Sequence, residues 1–280
     1  MSAIHTLLVD CPDEKGLIHR VTEVLFHHGL NIEDQEEFVQ KEAGYFFMRT
    51  EFSGTLAAES VLAELHRLLP ISAHIKLQEH QQKRIVILVG KELHCLGELL
   101  LRNELGELPA EISAVIGNHD NGRQLSDRFG VPFHLVPHRE KEPASYEPSL
   151  LETLEQYQPD YVVLAKFMRI LSAQFVDRYP QRILNIHHSF LPAFAGAKPY
   201  HQAYERGVKI IGASGHFVTP QLDQGPIIVQ DVIPVRHDMS PEDMMRAGRD
   251  IERLVLARAL RLVLEDRVFV FRNRTIVFEY

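Results

Sequence analysis

The sequence predicts an α/β protein in two parts, a small βαββαβ unit followed by a larger, largely parallel sheet with helices on both faces. Three observations carry this reading. Residues 4–79 alternate short apolar runs with stretches at helical spacing, in an order that places two strands back to back in the middle. From residue 84 the pattern changes to strand and helix in alternation, with continuous apolar strands such as Tyr161 to Ala165. Between the two lies the polar run His80-Gln81-Gln82-Lys83-Arg84. The expected organisation is a first domain over 1–80, a linker over 81–84 and a second domain over 85–280.

In the first domain, Ile4 to Cys11 reads as a strand that ends at the turn cluster Pro12-Asp13-Glu14-Lys15-Gly16. Leu17, Val21, Val24 and His28 fall at helical spacing, and Gly29 supplies the stop. Asn31 to Val39 and Tyr45 to Phe52 read as strands joined by a turn at Glu42-Ala43-Gly44. Leu56 to Leu69 is a helix closed by Pro70, and Ala73 to Glu79 a last strand. This order is the split βαβ, ferredoxin-like arrangement.

In the second domain the expected strands are Arg84 to Val89, Glu111 to Gly117, Val131 to Val136, Tyr161 to Ala165, Arg182 to His187, Lys209 to Thr219 and Ile227 to Val235. Helices are expected over Leu96 to Glu104, Gly122 to Phe129, Ser149 to Tyr157 and Tyr200 to Arg206. A long final helix starts at Ser240-Pro241-Glu242-Asp243, which has a capping serine, proline at the first helical position and acids in the first turn, and ends near Leu264. Val268 to Phe271 and Thr275 to Phe278 form a hairpin around Arg272-Asn273-Arg274.

The 280 residues have 45% hydrophobic and 24% charged content, ordinary for a globular protein with a real core. A net charge of −8 argues against a general nucleic-acid or membrane-surface binder. No apolar run approaches a membrane span, and Met1-Ser2-Ala3-Ile4-His5 lacks the regions of a signal peptide. Cys11 and Cys95 do not suggest a disulfide framework, so a cytoplasmic protein is expected.

The chemistry concentrates in Leu184-Asn185-Ile186-His187-His188-Ser189-Phe190-Leu191-Pro192 and in Gln221-Leu222-Asp223-Gln224-Gly225-Pro226-Ile227-Ile228. Residues two apart on a strand share a face, so Asn185 and His187 project together while Leu184 and Ile186 face apolar packing. Ligands of open α/β sheets sit at the carboxyl ends of strands, where this pair falls. Asp223 lies in a polar loop able to reach the same crevice. An amide donor, an imidazole and a carboxylate together can bind an oxyanion, shuttle a proton and position a nucleophile at a carbonyl carbon. On spacing alone, an Asn-x-His pair reads first as a hydrogen-bonded core pair; the distant Asp-x-Gly-Pro motif and the domain order turn the reading toward catalysis.

The order Asn-x-His-x-Ser-x-Leu-Pro, then Asp in Leu-Asp-x-Gly-Pro-Ile-Ile about thirty residues later, resembles the signature of the folate-dependent formyltransferases. That resemblance implies a Rossmann-like formyltransferase fold, 10-formyltetrahydrofolate as substrate, no further cofactor, and catalysis by Asn185, His187 and Asp223. Leu164-Ala165-Lys166-Phe167-Met168-Arg169-Ile170-Leu171 resembles the family segment that holds the pterin ring. The implied folate contacts are Lys166, Phe167, Met168, Arg169, Leu171, His216, Val218 and Gly225. Arg169 is a candidate partner for the folate glutamate carboxylate, and residues 218–223 are expected to close over the pterin. His216 is either a partner of the catalytic residues or a packed strand histidine. Lys198 either lines an acceptor pocket or is a solvated loop charge.

Asp10-Cys11-Pro12-Asp13-Glu14-Lys15-Gly16-Leu17 and Gly29-Leu30-Asn31-Ile32 resemble an ACT domain. That implies a small amino-acid effector held near Asp13, Gly16, Gly29 and Asn31, and a homo-oligomer, dimer or tetramer. As plain turn chemistry, the same residues are caps.

Family members that formylate a ribotide carry a Gly-rich phosphate loop after the first strand of the sheet. Here that position reads Val89-Gly90-Lys91-Glu92-Leu93-His94-Cys95-Leu96-Gly97, a poor phosphate nest. This form of the loop, with the ACT-like domain placed first, resembles the branch of the family that hydrolyses 10-formyltetrahydrofolate to tetrahydrofolate and formate. The implied role is in one-carbon metabolism, supplying formate for purine synthesis. The alternatives are formyl transfer to a small amine or a transfer RNA, and a non-catalytic folate or amino-acid sensor. Sixteen histidines invite a metal, with His187, His188, His201 and His216 nearest, but no His-Glu-x-x-His is present and no metal is expected. Cys95 reads as a packed thiol.

Overall fold

The computed structural model describes residues 4–79, 82–138, 143–192 and 199–279, so Lys198 lies outside the described residues. The chain divides into two compact units, residues 1–81 with 278–280, and residues 82–277. Among the described residues no helix is long and apolar enough to cross a membrane.

The first unit contains β1 (Ile4–Pro12), α1 (Leu17–His27), β2 (Asn31–Gln40), β3 (Tyr45–Ser53), α2 (Ala58–Leu68) and β4 (His74–Glu79). The strands form an antiparallel sheet in the order β2-β3-β1-β4. Strand alternation turns Leu7, Val9 and Cys11 of β1 and Phe46, Met48 and Phe52 of β3 to one face. Leu17, Val21, Val24 and Leu25 of α1 and Val61 and Leu65 of α2 cover it. Each such buried side chain contributes about 1.5–3 kcal/mol of transfer free energy. Gly29, at φ +67°, ends α1, and the Leu30 N–H returns to the Leu25 carbonyl at 3.0 Å.

The second unit runs β5 (Lys83–Val89), α3 (His94–Glu104), β6 (Ala110–Gly117), a 3-10 turn (Asp120–Gly122), α4 (Arg123–Arg128), β7 (Phe133–Leu135), α5 (Pro143–Tyr157), β8 (Tyr161–Ala165) and α6 (Ala173–Arg178). It continues with β9 (Ile183–His187), α7 (Pro199–Arg206), β10 (Ile210–Phe217), β11 (Ile227–Pro234), α8 (Pro241–Leu264), β12 (Val268–Phe271) and β13 (Arg274–Val277). The seven-stranded sheet has the order β11-β10-β9-β8-β5-β6-β7. Strands β5 to β9 pair in parallel, while β10 is antiparallel to both β9 and β11.

Burial on both faces explains why the central strands are apolar throughout. Ile85, Ile87, Val89, Val163, Leu184 and Ile186 pack toward α3 and α8, whereas Val86, Leu88, Val162, Leu164 and Ile183 pack toward α5 and α6. The chain leaves β5 to build one half of the sheet and returns at β8 to build the other, so a crevice opens at the carboxyl ends of β5, β8 and β9. Helix α8 begins with the expected capping box, Ser240 and Asp243 each bonding the other's backbone N–H.

Two elements depart from expectation. Helix α6 was not foreseen; it is one short stretch opened by the Ser172 side chain, which accepts from the Phe175 N–H. Helix α5 starts at Pro143, ahead of the expected Ser149, and keeps Pro148 inside. Its early turns are tied by tertiary bonds, with Glu147 accepting from the Ser172 N–H at 2.7 Å and Tyr146 donating to the Ile170 carbonyl at 3.3 Å.

Candidate active site

Asn185 and His187 project from the carboxyl end of β9 on one face, as strand alternation requires. Across the antiparallel pair, His216 of β10 stands opposite Asn185, and Ser214 opposite His187. The His216 Nδ1–H donates to the Phe217 carbonyl at 2.8 Å, which leaves Nε2 to accept from the Asn185 amide at 3.1 Å. That bond fixes the Asn185 amide with its nitrogen inward and its second N–H unspent. Burial holds His216 below the usual imidazole range, partly offset by that carbonyl bond and by Asp223, so the ring stays neutral.

Asp223 arrives from the loop between β10 and β11. Its backbone is left-handed, at φ +54°, and its carboxylate meets Nδ1 of His187 at 3.3 Å and Nε2 of His216 at 3.8 Å. The bond from His187 lowers the Asp223 carboxyl against the opposing effect of burial, so it is ionised at neutral pH. The loop is pinned at its base: Phe217 N–H bonds the Pro226 carbonyl at 3.0 Å, and Val218 N–H bonds the Ile183 carbonyl at 2.9 Å. Nε2 of His187 is buried and has no hydrogen-bond partner among the described residues.

These side chains line a cavity of about 340 Å³, together with Leu164, Lys166, Met168, Arg169, Ile170, Leu171, His188, Val218 and Leu222. Of the sequence-derived folate candidates, Lys166, Met168, Arg169, Leu171, His216 and Val218 reach this cavity. Two do not. Phe167 turns into the core beneath α5 and α6, and the Asn118 amide donates to its carbonyl at 3.1 Å. Gly225 packs against the end of β10, where a Cβ would overlap the Phe217 carbonyl oxygen. The loop after β8 carries left-handed residues at Lys166 (φ 60°) and Met168 (φ 57°), a strained backbone of the sort found where side chains must be aimed. Met168 and Ile170 are largely exposed on the cavity wall, and Arg169 is paired with His138.

The sequence reading missed a buried polar network behind the cavity. Glu252, on the sheet-facing side of α8, pairs with Lys166 at 3.1 Å, with His94 Nε2 at 2.8 Å and with the Tyr200 hydroxyl at 2.7 Å. Burial pushes the Glu252 carboxyl up, but His94, Lys166 and Tyr200 outweigh it and hold its pKa at about 2. Gly248 makes room for the Tyr200 ring, and Gly90 for the Lys166 carbonyl. A glutamate within the apolar stripe of α8 was the available signal. His94, Cys95 and Glu252 bring donor atoms within 4.8 Å of one another. Glu252 is already committed to His94, Lys166 and Tyr200, and burial, then the Glu252 charge, push the Cys95 thiol far up, away from the thiolate that a metal would bind.

In the first unit, the four effector candidates do not converge within one chain. Pro12 stands across from Tyr45 and Asn31 across from Ser53, which puts Asp13 and Gly16 at one end of β3 and Gly29 and Asn31 at the other. Helix α1, about 16 Å long at 1.5 Å per residue, separates the two turns.

A family model described as formyl transferase matches residues 83–260, and one described as ACT domain matches residues 5–70. A formyltetrahydrofolate deformylase of Haemophilus influenzae is 56% identical over 271 residues, covering 97% of this chain and 98% of that protein. The chain belongs to the formyltetrahydrofolate deformylase family. The crystal structure of a family member from Pseudomonas syringae pv. tomato superposes with a TM-score of 0.93 at 42% identity, covering 100% of this chain and 95% of that one. Glycinamide ribonucleotide transformylase 1 from Symbiobacterium toebii gives a TM-score of 0.68 at 33% identity, covering 72% of this chain and 97% of its own. The deformylase family thus shares the whole chain, whereas the transformylase shares a part.

Proposed function

We propose that this protein hydrolyses 10-formyltetrahydrofolate to tetrahydrofolate and formate. The observation that carries the mechanism is the convergence of Asn185, His187 and Asp223 on one cavity, with the Asp223 carboxylate 3.3 Å from Nδ1 of His187 and the Asn185 amide held by His216 at 3.1 Å. A formyl group on nitrogen is an amide, and its carbonyl must be polarised before water adds. The unspent Asn185 N–H and His187 Nε2 are the donors for the developing oxyanion, and Asp223 balances a proton carried on His187. One such donor lowers the barrier by about 3–4 kcal/mol. The apolar wall of Leu164, Ile170, Leu171 and Val218 suits the pterin ring, and Arg169 the glutamate carboxylate.

The test is formate release from 10-formyltetrahydrofolate without an added amine. Wild type should turn over steadily, and Asn185→Ala and His187→Ala should fall at least a hundredfold. Turnover only after an amine is supplied would make it a transferase. An amino-acid effector at the ACT domain is part of the same proposal, tested by whether any of the twenty common amino acids changes the rate. Residues 82–280, assayed alone, would show whether the catalytic part needs the first unit.

A further inference from the structure

We infer that His188 is the base that receives the proton of the attacking water. This rests on the hydrolase reading and specifies its nucleophile. His188 lines the cavity beside Asn185 and His187, and its ring lies 5.2 Å from that of His187 and 6.3 Å from that of Tyr200, centroid to centroid. Among the described residues nothing hydrogen-bonds either of its nitrogens.

The two neighbouring imidazoles have opposite surroundings. Nδ1 of His187 lies 3.3 Å from the Asp223 carboxylate. At His188, burial, then Lys166, outweigh the opposing charges of Glu252 and Glu92 and bring its pKa down to about 4, so it is neutral at physiological pH. Adjacent groups set apart in this way divide the work of acid and base. Lys166 is itself held in place by Glu252 and borders a second cavity of about 190 Å³ along the Gly90–Glu92 loop.

The step balances. The water oxygen bonds to the formyl carbon, the carbonyl electron pair moves to oxygen, and His188 takes the proton as the attacking oxygen becomes strongly acidic. Collapse breaks the C–N bond, and the nitrogen takes its proton from His187 Nε2. Formic acid ionises, and one proton passing from His188 to His187 resets the pair.

The experiment is steady-state formate release by the full chain carrying His188→Ala, with and without added imidazole. The expected result is kcat down about a hundredfold, in the range for a lost general base, with KM within threefold and at least tenfold recovery of kcat in imidazole. The variant His188→Gln, which keeps polar contact without a usable base, should lose the same activity and guards against an unfolded Ala variant. Either variant keeping kcat within threefold overturns the proposal. So does a folded His188→Ala variant whose KM rises at constant kcat, or whose loss imidazole does not restore. Absence of formate from wild type would instead sink the hydrolase reading itself.

Discussion

Asn185 on β9 and His216 on β10 face each other across the antiparallel pair, and their side chains meet at 3.1 Å. The imidazole is thereby a clamp on the amide, since its other nitrogen is spent on the Phe217 carbonyl. Replacing His216 with Ala should leave Asn185 in place but free to rotate. We expect kcat to fall by up to about a hundredfold, the scale of a misplaced catalytic group, with a small change in KM, measured by formate release.

Asp223→Asn should cost more, because an amide can neither balance a charged His187 nor hold its Nδ1–H as strongly. The expected loss in kcat is about 10³–10⁴-fold, as when an acid that orients a catalytic histidine becomes an amide. The pH dependence has a definite sign. The folded Asp223 carboxyl titrates below its ordinary 3.8, so its stabilisation is complete above that value and is lost as pH falls through the lower folded one. The difference in Tm between wild type and Asp223→Asn should therefore shrink as pH drops below about 4.

Gly225→Ala places a methyl on the Phe217 carbonyl oxygen, and backbone must move to admit it. We expect destabilisation of more than about 2 kcal/mol by urea unfolding, together with loss of activity as Asp223 shifts. Unchanged kinetics in a less stable protein would separate Gly225 from the positioning of Asp223.

Glu252→Leu leaves Lys166 buried without its counter-charge and should cost about 3–5 kcal/mol. Adding Lys166→Met should return much of that stability without returning activity. In wild type the Glu252 carboxyl, held at about 2 against an ordinary 4.5, stabilises fully above the ordinary value, and that contribution fades as pH falls toward 2. Urea midpoints at pH 7 and pH 3 would show both effects.

The strand and helix order was legible because the two sheets carry different patterns: in β1 and β3 the apolar face alternates with one bearing Thr6, Asp10, Arg49 and Glu51, whereas β5 and β8 are apolar on both faces. Asn185, His187 and Asp223 were legible from alternation and from their motif, and the structure brings them together. Helix α6 was not legible, since six residues carry too little periodicity. Glu252 was hidden for another reason: its partners Lys166, His94 and Tyr200 come from three distant segments, which no local pattern joins. Gly225 looked like a ligand contact because of the motif that holds it, but its constraint is steric and lies at the base of the loop.

Strand β11 is the outer edge of its sheet, and the loop carrying Asp223 joins it to β10. An edge pair frays before the centre of a sheet. Heating should therefore disarm the carboxylate while β5 and β8 are still intact, and turnover would be lost some degrees before the helical circular dichroism signal. Inactivation would then be reversible on cooling up to the temperature at which the central strands part. For this enzyme the thermometer of the active site is the rim of the sheet rather than its core.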